Sequence, residues 1–90
     1  MNVYLLKEYN TSMMYENETV KAFSSRKDAE AALKKDVCKW AKVKEKDWYS
    51  IPEKLGFDLD TEDIFEPDYV RMLCMFGSKT YFIIEELPLK

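Results

Sequence analysis

The sequence predicts an α+β fold of the order β-β-α-(irregular or short helical turns)-β-β, with a mainly antiparallel sheet and one long amphipathic helix on one face. Two observations favour this fold class. Runs typical of strands occur at both ends of the chain, VYLLKEY at one end and YVRMLCMF with TYFIIEEL at the other. A stripe of apolar residues at helical spacing lies between them. The 90 residues are enough for a single small globular domain, residues 1–90.

The first strand is predicted over residues 3–9, where side chains alternate between two faces of a sheet. Val3, Leu5 and Tyr9 share one face, and the residues between them point to the other. A second, shorter strand is predicted over residues 18–23, after a polar loop.

The predicted helix begins after Ser25, whose hydroxyl can accept the backbone N–H of Asp28. It runs to about residue 43, because no glycine or proline interrupts this stretch. Its apolar stripe consists of Ala29, Ala32, Leu33, Val37, Trp40 and Ala41. We therefore expect Trp40 to pack on the sheet, and Cys38, on the other side of the helical wheel, to be exposed.

The segment after the helix has no strong period. Pro52 and Gly56 bracket one predicted helical turn. Thr61 is predicted to cap another turn, which ends near Phe65.

The last two strands are predicted to form a hairpin at Gly77, because glycine at the first position of a two-residue loop favours a type II′ turn. This register pairs Met72 with Ile83 and leaves both faces of the hairpin apolar. One helix covers one face, so the other must be covered by residues 48–66, by a second copy of the chain or by a partner. We expect residues 48–66 to cover it, with four anchors: Phe57, Leu59, Ile64 and Phe65.

A run of acidic residues lies before the hairpin, with no basic residue among them: Asp58, Asp60, Glu62, Asp63, Glu66 and Asp68. A calcium loop is disfavoured, because Asp63 stands where such a loop needs glycine and Tyr69 where it needs glutamate. An acidic surface that imitates nucleic acid is one interpretation of the run. The favoured one is a solvated connector, because apolar residues that resemble core anchors interleave with the acids.

Four lysines follow the side of the predicted helix opposite its apolar stripe: Lys35, Lys39, Lys42 and Lys46. Such a row can contact phosphates, but the solvated side of an amphipathic helix has the same pattern. The net charge of −3 disfavours nucleic acid as a partner.

Met13, Met14 and Tyr15 lie at the predicted tip of the first loop. They either fold back onto the sheet edge or form an adaptable contact for a protein partner, a use to which methionine is well suited.

No catalytic or metal-binding constellation is evident in the sequence, and no cofactor is expected. The chain has no histidine, no glycine-rich phosphate loop and no nucleophile elbow. Cys38 and Cys74 are predicted to be free thiols of a cytoplasmic protein. No run of residues has the length and hydropathy of a membrane span.

The stretch VYLLKEY, followed by ETVKAFSSRKDAEAAL, resembles a group of small uncharacterised proteins of Gram-positive gut bacteria and their phages. These proteins begin with two strands and continue with F-S-S-R-x-x-A-E-x-x-L, which opens a helix. The resemblance covers the first third of the chain and includes no catalytic residue. It implies an accessory protein, encoded on a phage or mobile element, that acts by binding another protein.

These observations predict a non-enzymatic protein that acts through protein–protein contact, either as a homodimer or with another protein. The alternative is a nucleic-acid-related role, through the row of lysines or through an acidic surface that mimics DNA.

Overall fold

The fold is α+β, as predicted, with an antiparallel sheet of five strands in the part of the chain that is described. The computed structural model describes residues 2–11, 16–58, 63–73 and 79–88. Its elements, in chain order, are β1 (Asn2–Thr11), β2 (Glu16–Phe23), α1 (Arg26–Ala41), a 3₁₀ helix (Glu45–Ser50), α2 (Ile51–Leu55), β3 (Ile64–Glu66), β4 (Tyr69–Leu73) and β5 (Lys79–Pro88). The strand order is β2-β1-β5-β4-β3, so β5 is the central strand.

Helix α1 begins where its capping residue predicts. The side chain of Ser25 accepts a hydrogen bond of 3.1 Å from the backbone N–H of Asp28. The helix ends at Ala41, slightly before the predicted end, because Lys42 adopts a left-handed conformation with a φ of 59°. With 16 residues, α1 is shorter than the long helix that was predicted.

A single layer of buried side chains joins the helices to one face of the sheet, which we call the helix face. The helical segments contribute Ala29, Leu33, Val37, Cys38, Ala41, Trp48 and Ile51, and the sheet contributes Leu6, Val70, Phe82 and Ile84. Leu6 lies opposite Ile84 on the neighbouring strand. Val70 likewise lies opposite Phe82. Fully burying one large apolar side chain is worth about 1.5–3 kcal/mol, so this layer is the main source of stability.

The segment after α1 packs on this same helix face, and the prediction that it covers the other face was wrong. Trp48 is buried, and its ring centre lies 4.6 Å from that of Phe65. Phe57 meets the same ring edge-on at 5.8 Å. Ile64 points to the opposite face, because it precedes Phe65 in a strand. Leu59, the remaining predicted anchor, lies outside the described residues.

The segment after α1 packs on the helix face because α1 covers only part of that face of the sheet. Helix α1 packs against β1, β2 and β5. The β3–β4 end of the helix face is therefore left for the 3₁₀ helix and α2, which bring Trp48 and Ile51 into the core.

Two local predictions in this region had different outcomes. The first helical turn is present as α2, and Gly56 ends it with a φ of 72°. The second turn was wrong, because Ile64–Glu66 forms strand β3 and pairs with β4. Its predicted cap, Thr61, lies outside the described residues.

The predicted register of the last hairpin was also wrong. Met72 lies opposite Thr80 instead of Ile83, and Leu73 lies opposite Lys79. The predicted turn at Gly77 lies outside the described residues, which end at Leu73 and resume at Lys79. An odd shift in register exchanges the faces of one strand relative to the other, so Val70 shares the helix face with Phe82.

Candidate functional site

The sheet face that points away from the helices is the main candidate for a functional surface, and we call it the open face. The described helical segments all pack on the helix face. The strand residues that alternate with the buried ones form the open face: Val3, Leu5, Lys7, Tyr9, Glu18, Val20, Ala22, Ile64, Glu66, Tyr69, Arg71, Lys79, Tyr81, Ile83, Glu85 and Leu87. Most of these side chains are apolar or aromatic.

Strand pairing arranges the open face in rows that cross the sheet. Lys7 lies between Val20 of β2 and Ile83 of β5. Ile83 in turn lies opposite Tyr69 of β4. This row therefore crosses four strands and contains three apolar or aromatic side chains, with Lys7 between Val20 and Ile83.

An aromatic row runs beside this one. The rings of Tyr9 and Tyr81 are stacked, with centres 4.9 Å apart and planes at 16°. The Nζ atom of Lys79 lies 5.7 Å from the centre of the Tyr81 ring. Arg71 lies opposite Tyr81 on β4. Contacts with their neighbours thus hold these side chains in place.

Where the side chains of the open face are described, their charges balance one another. The basic residues among them are Lys7, Arg71 and Lys79, and the acidic residues are Glu18, Glu66 and Glu85. The Nζ atom of Lys7 lies 2.9 Å from a carboxylate oxygen of Glu85. The hydrogen bond to Glu85 raises the pKa of Lys7 above its ordinary value. The centre of the face therefore carries a neutralised ion pair.

Two apolar side chains on this face are strongly exposed. Val20 has 52% of its surface in solvent and Leu87 has 44%. Val3, Leu5 and Ile83 are half-buried by their neighbours within the sheet. Apolar surface that a folded chain leaves in contact with water is typical of an interaction site when it is contiguous.

A second feature is a groove between α1 and the sheet, with a volume of about 450 Å³. Its charged residues come from three elements: Glu8 from β1, Lys21 from β2, and Asp36 and Lys39 from α1. The Nζ atom of Lys21 lies 2.7 Å from Asp36 and 3.9 Å from Glu8. The rings of Trp40 and Phe82, with centres 5.8 Å apart, form its apolar wall.

The two carboxylates in this groove titrate differently. Burial raises the pKa of Glu8 to about 7, and the hydrogen bond and charge of Asp36 add to this effect. Burial also acts to raise the pKa of Asp36, but hydrogen bonds with Glu8 and Lys21 outweigh it and lower the pKa. Below about pH 7 Glu8 is therefore mainly protonated, while Asp36 is ionised. The charged hydrogen bond of Lys21 to Asp36 joins β2 to α1, and the longer ion pair of Lys21 with Glu8 joins β2 to β1.

This cluster was not predicted from the sequence, because its members lie on three separate elements. One feature of the sequence of β1 does indicate the cluster. Glu8 follows Tyr4 and Leu6 in the alternation, and so occupies a helix-facing position. A carboxylate in such a position requires a polar partner in the layer above it.

The acidic run does not form one surface in the part of the chain that is described. Asp63 is buried, with 7% of its surface exposed, and its carboxylate accepts the backbone N–H of Asp58 at 2.9 Å. Asp68 pairs with Arg26 at 2.7 Å. Glu66 lies on the open face. Asp60 and Glu62 lie outside the described residues.

The predicted row of lysines is interrupted as well. Lys35 and Lys39 are exposed on α1, but Lys42 ends this helix and Lys46 belongs to the 3₁₀ helix. A shallow depression of about 400 Å³ instead brings together Lys42, Lys44, Lys46 and Lys54, with Asp47 and Ser50 among them. Met13, Met14 and Tyr15, the predicted partner contact, lie outside the described residues.

Cys38 is a free thiol, but it is buried, which corrects the prediction that it is exposed. Burial raises the pKa of this thiol, and the nearby carboxylates of Glu45 and Asp47 contribute to the increase. A reactive surface cysteine is therefore not found at this position.

Within the described ranges, no three metal-ligating side chains converge on one point. No helix in the same part of the chain is long and apolar enough to cross a bilayer. Comparison of the chain with family models, curated proteins and solved structures finds no match.

Proposed function

We propose that this chain is a non-enzymatic binding module whose open face contacts another protein surface. One observation carries the proposal: none of the described helical segments covers the open face of the five-stranded sheet, although most of its described side chains are apolar or aromatic. Antiparallel sheets with one solvated face normally alternate apolar and polar residues. Here the solvated face carries Val20 and Leu87 in strongly exposed positions.

The balance of charge favours a protein over a nucleic acid as the partner. Protein surfaces that bind nucleic acid carry a clear excess of basic residues, since these residues must neutralise phosphates. The described side chains of the open face include equal numbers of basic and acidic groups, and the whole chain has a net charge of −3. The carboxylate of Asp47 lies among the lysines of the depression near Lys54, and its negative charge makes that surface a weaker phosphate site.

The proposal includes a cytoplasmic location, which the free thiol of Cys38 supports. The further idea of an accessory protein from a phage or mobile element depends on the resemblance in the first third of the chain.

The test is capture of proteins from a lysate of the producing cells by the immobilised chain. Three baits are compared: the wild type, a double variant with Val20→Glu and Leu87→Glu, and Tyr49→Glu as a matched control. Tyr49 is 87% exposed and lies in the 3₁₀ helix, on the other side of the molecule. We expect wild type and Tyr49→Glu to retain the same protein and the double variant to lose it, because two acids disrupt an apolar contact.

The altered residues are exposed, so all three baits should keep the same fold, which circular dichroism checks. Nuclease treatment of the lysate separates protein partners from nucleic acid. Capture that is equal for all three baits, or that nuclease abolishes, would contradict the proposal.

A further inference from the structure

We infer that the partner of the open face is a second copy of this chain, packed face to face so that two sheets form a sandwich with the helices outside. This inference rests on the proposed function and specifies the partner. Sheets pack in this way about 10 Å apart, with strand directions within about 30° of each other.

The size of the open face is the first argument. Sixteen strand residues with described side chains lie on it, and each covers roughly 30 Å² of a sheet plane at the usual strand spacing and rise. One copy therefore presents roughly 500 Å², and two copies together bury about 1,000 Å². This is near the lower limit for a specific interface. The area is large enough for a reversible dimer and predicts a weak one.

The distribution of charge is the second argument. A surface that meets its own copy must not repel itself, because a two-fold interface uses the same patch on both sides. Among the open-face residues whose side chains are described, basic and acidic groups are equal in number, and Lys7 and Glu85 neutralise each other at 2.9 Å near the centre of the face. Its remaining basic residues, Arg71 and Lys79, lie beside the rings of Tyr9 and Tyr81.

The strand order is the third argument, because it gives the face a natural axis. With β5 in the middle of five strands, a two-fold axis along β5 superposes the sheet edges of one copy on the opposite edges of the other. This arrangement places Ile83 of both copies at the centre of the interface. It also places the β1 side of one copy, with Lys7 and Tyr9, over the β4 side of the other, with Tyr69 and Arg71. Lys7 then meets Tyr69 and Arg71 meets Tyr9, a favourable combination. On the axis itself, Lys79 and Glu85 each face their own copy, and these like charges limit the affinity.

The first experiment is sedimentation velocity of the purified chain between about 1 µM and about 1 mM, a range that brackets a micromolar dissociation constant. We expect a monomer–dimer equilibrium within this range. Ile83→Glu should weaken dimerisation at least tenfold, because it buries an unpaired charge at the axis. Tyr49→Glu should leave the equilibrium unchanged. If Ile83→Glu loses its fold by circular dichroism, the exposed pair Val20→Glu and Leu87→Glu replaces it.

The second experiment distinguishes face-to-face from edge-to-edge association. In a Cys74→Ser background, Ile83→Cys should be cross-linked by a bismaleimide with a span of about 10 Å, the distance between packed sheets. Tyr49→Cys should not be cross-linked. Pairing of two β2 edges would separate the two Ile83 positions by roughly 24 Å, beyond the reach of this reagent.

A chain that stays monomeric at every concentration, or that dimerises without cross-linking at Ile83→Cys, would overturn the inference. If such a monomer still captures another protein in a manner that needs Val20 and Leu87, the proposed function stands and only the identity of the partner is wrong. If neither association occurs, both the inference and the proposed function fail.

Discussion

Glu8 is the residue whose ionisation the fold changes most clearly. It occupies a helix-facing position of β1, below Asp36 of α1 and beside Lys21 of β2. Burial raises its pKa to about 7, and Asp36 adds to this increase while Lys21 opposes it. The folded chain therefore binds a proton there at pH values where an unfolded chain does not.

This linkage predicts that stability falls as pH rises from about 5 to about 8. The folded pKa of about 7 lies above the ordinary value of 4.5, so the stabilising contribution is fully present below pH 4.5 and is lost as pH rises through 7. One pKa unit corresponds to about 1.4 kcal/mol, and we expect a total loss of about 2 kcal/mol, less than the full shift implies, since solvent screens a carboxylate that is only partly buried. Urea unfolding at several pH values measures this loss.

Glu8→Gln should flatten the pH dependence in this range, because glutamine keeps the size of the side chain and cannot ionise. Glu53→Gln is the matched control, since Glu53 is exposed on α2. A wild-type stability that is constant or increases between these pH values would be incompatible with a protonated Glu8.

Trp40 and Cys38 show how far single positions could be predicted. The helical wheel placed Trp40 towards the sheet, and its ring does contact Phe82, although the residue is only half-buried. The same wheel placed Cys38 in solvent. Its burial depends on the 3₁₀ helix, which returns alongside α1 and brings Glu45 and Asp47 close to the thiol. A pattern within one helix contains no information about a second neighbour of this kind.

At the scale of elements, the end of α1 carries a local strain. Lys42 has a φ of 59°, a left-handed conformation that side chains with a Cβ atom adopt at a cost of about 1 kcal/mol. Its backbone N–H bonds to the carbonyls of Cys38 and Lys39, which closes the last turn. Helices more often place glycine at this position.

We therefore expect Lys42→Gly to increase the free energy of unfolding by about 0.5–1 kcal/mol. Lys39→Gly is a matched control, because Lys39 is also exposed but lies inside the helix. It should lower stability by about 1 kcal/mol, the usual penalty for glycine in a helix interior. Chemical denaturation of both variants tests this, and a loss of stability in Lys42→Gly would show that the left-handed residue is not strained.

Elements with strong local signals were predicted well, and those fixed by distant contacts were not. The capped start of α1 and the Gly56 end of α2 follow from short-range chemistry. Strand β3 has only three residues, and it exists because it pairs with β4. The register of β4 on β5 is likewise set by the core, since it brings Val70 and Phe82 together below the helices. A turn signal at Gly77 could not outweigh that burial.

For the whole molecule, the sequence correctly predicted apolar residues on both sides of the last two strands. It did not reveal which side the segment after α1 would cover. The side that this segment covers depends on where α1 ends and on how much of the helix face α1 leaves free, and both are properties of the assembled layer. The open face therefore could not be identified from the sequence alone.

If two copies join through the open face, thermal stability should depend on protein concentration. Mass action stabilises a dimer as concentration rises. We expect the Tm of the wild type to increase between about 10 µM and about 1 mM, a range around the expected dissociation constant. The double variant Val20→Glu and Leu87→Glu should have a Tm independent of concentration. Differential scanning calorimetry at both concentrations provides the measurement, and a constant Tm in the wild type would count against association.

The central place of β5 has a consequence for how the chain reaches its native state. β5 pairs with β1, and the hydrogen bond from Thr80 to Asn10 joins residues 70 positions apart. Without β5, the sheet is reduced to the pairs β1–β2 and β3–β4, and two strands alone are only marginally stable in water. The contacts that complete the sheet therefore require closure of a long loop, a step that slows folding. Folding of this small domain consequently depends on the long-range pairing of β5 with β1, and a partly formed sheet has little stability of its own.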